Sequence, residues 1–316
     1  MQEVGHMVEK RLLDIILDEL EGDYELELKG VHWTRNSHWS EAICQIPDLN
    51  NFAKLINDYA KKHAKGFKPN NLKSDKDRLK DNGYKDRRLH ITLTRNENKP
   101  ENIFIDSNEV FIERLLTFIQ NDCQNGGEIC SKYWNQYQIG KSYKEAVDIR
   151  IKNNNKYKYV ELKALDTPID ETKEGKADNP LFAIIESIKN YYLSPNQDKI
   201  EELIILAPID YWNKYLNKRE VYTSIQKLLR AFKEQKEPIS IKLQYIDCTS
   251  SIYLKEFKTE FKKFIKEDDF KEKKSKIDDA TKRKYTHAAN YKLDTIYSWL
   301  SGYKLENLFK VKDYEP

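Results

Sequence analysis

The stretch from Glu145 to Leu165, EAVDIRIKNNNKYKYVELKAL, constrains this chain more than any other, because it alternates apolar and polar residues on both sides of a polar break. Ala146, Asp148 and Arg150 share one face of an extended segment, and Val147, Ile149 and Ile151 share the other. Beyond the break, Glu161 and Lys163 face away from Val160, Leu162 and Ala164. The break holds three successive asparagines, Asn153 to Asn155, a residue type that tolerates positive φ in tight hairpins. Closing the hairpin with a two-residue loop at Asn154 and Asn155 sets Asp148 opposite Glu161, with the two carboxylates roughly 5 Å apart and Lys163 two positions along. A longer loop would slide that register.

Two acids so close repel each other strongly at protein-like dielectric unless something positive lies between them. A divalent cation is the simplest solution. Mg²⁺ accepts one or two carboxylates, keeps several waters and binds phosphate oxygens, which suits phosphodiester hydrolysis. A lysine on the same face can orient or help deprotonate an attacking water and stabilise charge developing on phosphorus.

Elsewhere the periodicity predicts a helix over 7–21, strands at 24–31 and 41–46, a helix from Leu49 through Tyr59 and a long polar loop over 65–86. Pro47-Asp48 reads as the cap of the second helix. Further strands are expected at 88–95 and 102–106, so residues 1–107 read as an α+β domain. From Asn108 a helix, the hairpin (146–151 and 157–165), a helix over 180–193, a strand over 202–207, a helix near 210–235 and a strand over 239–246 call for a mixed sheet covered by helices, over 108–250. Residues 251–316 read as a Lys-rich helical segment.

With 316 residues the chain can bury a proper core. Its 55 basic and 52 acidic residues leave a net charge of only +3, unlike a polycation or an acidic tail. No run reaches the roughly 18 apolar residues of a membrane span, and residues 1–9 carry acids rather than a secretory pattern, so the expected compartment is the cytoplasm and no membrane partner is expected. Cys44, Cys123, Cys130 and Cys248 show no zinc-type spacing and read as reduced thiols.

Asp148, followed after twelve residues by Glu161-Leu162-Lys163 on the next strand of a hairpin, resembles the active-site signature of the PD-(D/E)xK, or restriction-endonuclease-like, nuclease superfamily. The element order from 108 to 246 is similar to that superfamily's core, so the resemblance implies a restriction-endonuclease-like α/β domain. It covers less than half the chain. It implies that Asp148, Glu161 and Lys163 are catalytic, that Asp148 and Glu161 bind Mg²⁺ (with Mn²⁺ as a substitute), and that a helix glutamate, Glu128 rather than Glu113, adds to the metal site. The implied substrate is double-stranded DNA, cleaved endonucleolytically in bacterial restriction or defence, with a homodimer or a protein partner left open. The N-terminal domain and the C-terminal segment would supply target recognition or partner contacts. Ala146-Val147 stand where the family has its proline, and the segment from Glu186 to Tyr192, ESIKNYY, lacks the Gln-x-x-x-Tyr element of one branch.

Competing readings are weaker. Asp/Glu-x-Lys recurs in so Lys-rich a chain; Glu27-Leu28-Lys29 is the serious decoy, but no hairpin there supplies a second carboxylate. His90-Ile91-Thr92 is similar to one half of a two-histidine phosphoesterase site, and His287 lacks the threonine the second half needs. No phosphate loop surrounds Lys141. A nuclease-like fold used only for DNA binding or scaffolding is the alternative from another functional class.

Overall fold

The computed structural model describes residues 11–24, 33–34, 38–69, 71, 74–75, 77, 133–141, 145–163, 179–246 and 311–315. At the centre lies the hairpin, β2 (Ala146–Asn153) and β3 (Lys156–Leu162), closed by Asn154 and Asn155. Asn154 has φ 51°, left-handed backbone that asparagine occupies at lower cost than bulkier residues. The ladder runs from Asn153 opposite Lys156 to Ile149 opposite Val160, the register a two-residue loop dictates.

Antiparallel to the outer side of β2 runs β1 (Tyr133–Gln138). β3 leads through the crossover helix α4 (Pro180–Leu193) to the parallel strand β4 (Ile200–Pro208). β4 leads through α5 (Ile209–Tyr215) and α6 (Arg219–Lys233) to the parallel strand β5 (Ile241–Ile246), and β6 (Val311–Asp313) closes the edge antiparallel to it. The result is a mixed six-stranded sheet flanked by helices, an α/β architecture, with its strands in chain order. β4 buries both of its faces, with Leu203 and Ile205 on one and Ile204 and Leu206 on the other, which accounts for its unbroken apolar run.

α4 begins where Asn179 accepts a hydrogen bond from the Phe182 N–H at 2.9 Å and Pro180 presets φ in the first turn. Leu181, Ile184, Ile185 and Ile188 are buried, and the helix lies between β3 and β4 on one side and α1 (Leu12–Asp23) and α3 (Leu49–Phe67) on the other. Asp48 caps α3 as expected, accepting from the N–H groups of Asn50 (2.9 Å) and Asn51 (3.1 Å). α6 packs on α3 and on α2 (Trp39–Gln45). One contiguous core links Leu12 and Ile16 of α1 through Phe52 and Ile56 of α3 to Ile205, Trp212 and Phe232.

Several expectations need correction. Segment 41–46 is helical, not extended: Trp39, Ala42 and Ile43 fall on one side of α2 and are buried, while Cys44 is exposed. α3 continues through Phe67 into what reads as loop, and the helix near 210–235 is two helices broken between Tyr215 and Arg219. Tyr24 ends α1 instead of opening a strand. β1 and β6 were not expected. Tyr-Trp-Asn-Gln-Tyr-Gln has no clean alternation, and β6 is three exposed residues paired, among the described residues, with β5 alone. The remainder of 24–31, the strands at 88–95 and 102–106, the helix after Asn108 and the Lys-rich stretch 255–284 lie outside the described residues. Among the described residues no helix is long and apolar enough to cross a membrane.

Candidate active site

The antiparallel ladder stops at Ile149–Val160, and the next step of the same register sets Asp148 beside Glu161. There a side chain takes over from the backbone: Asp148 Oδ2 accepts from the Leu162 N–H at 2.8 Å, which fixes the carboxylate over β3. On the other side of β3 the Lys163 N–H donates to the Leu206 carbonyl at 3.0 Å. Glu161 is thus held against β2 through the adjacent Leu162 N–H, and Lys163 against β4 through its own.

Glu161 is buried, 6% exposed, and Lys163 is 7% exposed. Lys163 Nζ lies 2.7 Å from Glu161 Oε1 and 3.2 Å from Glu186 Oε2, on α4. Asn190, one turn beyond Glu186, donates from Nδ2 to Glu161 Oε2 at 3.4 Å. Lys189 Nζ lies 3.8 Å from Glu186 Oε1 and 3.4 Å from Oε2 of Glu145, the residue preceding β2. Among the described residues the ion pairs bring Glu161, Glu186 and Glu145 together with Lys163 and Lys189, and the charge of Asp148 acts on Glu161 as well.

The electrostatics divide the acids. Burial, then the charges of Asp148 and Glu186, push the Glu161 carboxyl well above the usual carboxylate range, with Lys163 pulling the other way. Burial also pushes Glu186 up, but Lys163 and Lys189 more than offset it and hold it down at about 2. Glu161 is the group whose ionisation the fold resists. Among the described residues no three His, Cys, Asp or Glu side chains converge as a ready-made metal cage. Mg²⁺ needs only one or two carboxylates, its remaining positions being filled by water and phosphate oxygen.

Asp148, Glu161 and Lys163 come together as their spacing suggests. Glu128, like Glu113, lies outside the described residues, as do His90, His287 and Glu27 to Lys29. Arg150, on the Asp148 face of β2, is 1% exposed; one of its nitrogens lies 2.8 and 2.9 Å from the two Asp75 oxygens. Its guanidinium also lies over the rings of Tyr137, Tyr157 and Trp134, at 4.1, 5.2 and 5.4 Å. Sequence reasoning missed Glu186, Lys189, Asn190 and Glu145. The available signal was in α4, where Glu186, Lys189 and Asn190, at i, i+3 and i+4, interrupt a helix that is apolar or aromatic elsewhere except at Ser187.

Comparison with protein-family models, curated proteins and solved structures gives no match. Function must therefore be argued from the geometry of the site.

Proposed function

We propose that the chain is a Mg²⁺-dependent DNA endonuclease, with a restriction-endonuclease-like core in which Asp148, Glu161 and Lys163 are the catalytic residues. One observation carries this reading. At the end of a hairpin, Asp148 and Glu161 are held side by side where burial and mutual repulsion disfavour the ionised form of Glu161, and a lysine stands 2.7 Å away. The order of hairpin, helix and parallel strand also agrees with such a core.

The donor set fits a hard divalent ion: it consists of carboxylate oxygens, and the charges of Asp148 and Glu186 beside Glu161 disfavour its ionised form. Asp148 and Glu161 would hold it, with Glu128 as the further glutamate of the sequence reading, and Mn²⁺ would substitute for Mg²⁺. When bound, such an ion supplies positive charge to the phosphate and lowers the pKa of water. Lys163 orients the attacking water from its ammonium nitrogen and stabilises the charge that develops on phosphorus. Water adds to phosphorus in line, the bond to the 3′ oxygen breaks, and the products are a 5′-phosphate and a 3′-hydroxyl. Double-stranded DNA, a role in bacterial restriction or defence and a cytoplasmic setting complete the reading.

The test incubates the full chain and its Asp148→Asn and Lys163→Ala variants with supercoiled plasmid, linear duplex, single-stranded DNA and RNA, in Mg²⁺ or EDTA. The expected result is Mg²⁺-dependent nicking or cutting of duplex DNA by the wild type alone. DNA binding without cleavage, equal in wild type and Lys163→Ala and indifferent to EDTA, would sink the enzyme reading in favour of a nuclease fold used for binding or scaffolding. Cleavage confined to RNA would overturn the choice of substrate.

A further inference from the structure

Lys163 is held from two sides, and the two sides are not equivalent. Glu161 Oε1, 2.7 Å from the ammonium, belongs to the carboxylate pair that would carry the cation, and an oxygen that turns to a divalent ion gives up most of its hold on a lysine. Glu186 Oε2, 3.2 Å away, comes from a different element, α4, and its carboxyl also lies in hydrogen-bond contact with Glu161. Its other oxygen, Oε1, faces Lys189 at 3.8 Å, so the carboxylate is shared between two ammonium groups.

Lys189 is itself fixed. It is 4% exposed and faces Glu145 Oε2 at 3.4 Å. The Glu145 carbonyl accepts from the N–H groups of Ile139 (2.9 Å) and Gly140 (3.2 Å), and the Glu145 side chain fills the space where a Cβ on Gly140 would stand, 2.5 Å from Glu145 Cβ. Buried charges of this kind are costly to assemble, and apolar side chains of similar volume are often as stable or more so. An arrangement that accepts that cost next to a reactive lysine points to a role in the chemistry.

We propose that Glu186 is the positioning residue for Lys163: it keeps the ammonium aimed into the site while Asp148 and Glu161 carry the cation, and Lys189 and Glu145 in turn hold Glu186. This inference rests on the nuclease reading above. Glu186 touches neither water nor phosphate in this scheme; it acts through Lys163.

The test uses the full chain and the variants Glu186→Gln and Glu186→Asp, with kcat and KM for duplex plasmid measured separately in Mg²⁺ and Mn²⁺ binding followed by electron paramagnetic resonance. Glu186→Gln leaves Lys189 with Glu145 and Lys163 with Glu161, so the fold is expected to survive, which circular dichroism checks. Misplacing a catalytic group by about 1 Å can cost on the order of 10²-fold, so Glu186→Gln should lower kcat by roughly that factor, with KM and Mn²⁺ affinity changed less than about 3-fold and much of the rate restored in Glu186→Asp. Wild-type kcat in folded Glu186→Gln would overturn the inference, leaving Glu186 a structural partner only. Loss of Mn²⁺ binding in that variant would overturn it differently, making Glu186 a metal ligand. Should Glu186→Gln fail to fold, Glu145→Gln carries the test: a fall in kcat without a change in Mn²⁺ affinity supports the chain of contacts, and an unchanged kcat overturns it. If the wild type itself neither binds Mn²⁺ nor cleaves, the nuclease reading fails and this inference with it; cleavage by wild type and Glu186→Gln alike removes the inference alone.

Discussion

Glu161 is a carboxylate the folded chain would rather keep neutral, and this has a consequence for stability that can be separated from activity. Its pKa in the fold lies above that in the unfolded chain, so between the two values the folded state binds more protons and stability falls as pH rises. Glu186 runs the other way: held at about 2, it contributes stability above the ordinary carboxylate range that is lost as pH falls towards that value. Glu161→Gln should therefore raise Tm at pH 8 by at least about 2 °C and leave it nearly unchanged at pH 4, while abolishing Mg²⁺-dependent cleavage. A lower Tm at pH 8, read by circular dichroism, would show that the Lys163 contact outweighs the repulsion. Lys163→Ala should lower kcat by about 10²- to 10⁴-fold, the usual span for a positioned acid-base group, measured by plasmid nicking. At this scale Asp148, Glu161 and Lys163 were legible because strand alternation and a two-asparagine turn are local rules. Glu186, Lys189 and Glu145 were not, because the ion pairs joining them to the hairpin and to one another depend on how α4 crosses the sheet, which no local period encodes.

Among the elements, the hairpin and α4 set the geometry of the site, and each depends on one residue outside the chemistry. Asn154 holds φ 51°, where a β-branched side chain is strained, so Asn154→Val should cost about 1–2 kcal/mol, seen as a lower denaturation midpoint with cleavage retained below the melt. Asn179 caps α4 and also donates from Nδ2 to the Thr34 carbonyl at 2.8 Å, so Asn179→Ala should destabilise by about 1 kcal/mol or somewhat more. An unchanged denaturation midpoint would mean that the helix is held by its apolar face alone. The elements read correctly from sequence share a strong signal of their own: alternation in the hairpin, a proline start and apolar face in α4, an unbroken apolar run in β4. Those misread or missed lack one. α2 has seven residues, too few to separate a helical period from an alternating one, and β6 is extended because β5 offers it an edge.

For the molecule as a whole, the tie between Asp75 and Arg150 reaches from the N-terminal third of the chain into β2, two residues from Asp148. Asp75→Ala takes that carboxylate from a buried guanidinium, and removing one partner of such a pair typically costs about 3–5 kcal/mol. Asp75→Ala is therefore expected to melt well below the wild type, and Asp75→Asn less far below it, whereas an unchanged melting temperature in Asp75→Ala would show that the aromatic rings around Arg150 suffice. The strand order has a different consequence, one of time rather than energy. Because the six strands of the described residues stand in space in the order in which they occur along the chain, none of these six has to be inserted between two that are already paired. Each can dock on the one before it as it leaves the ribosome. β2, β3 with Lys163 just beyond it, and α4, which bring Asp148, Glu161, Lys163 and Glu186 to the candidate site, are synthesised before β4, β5 and β6, so the candidate site can take shape before the sheet that supports it is complete.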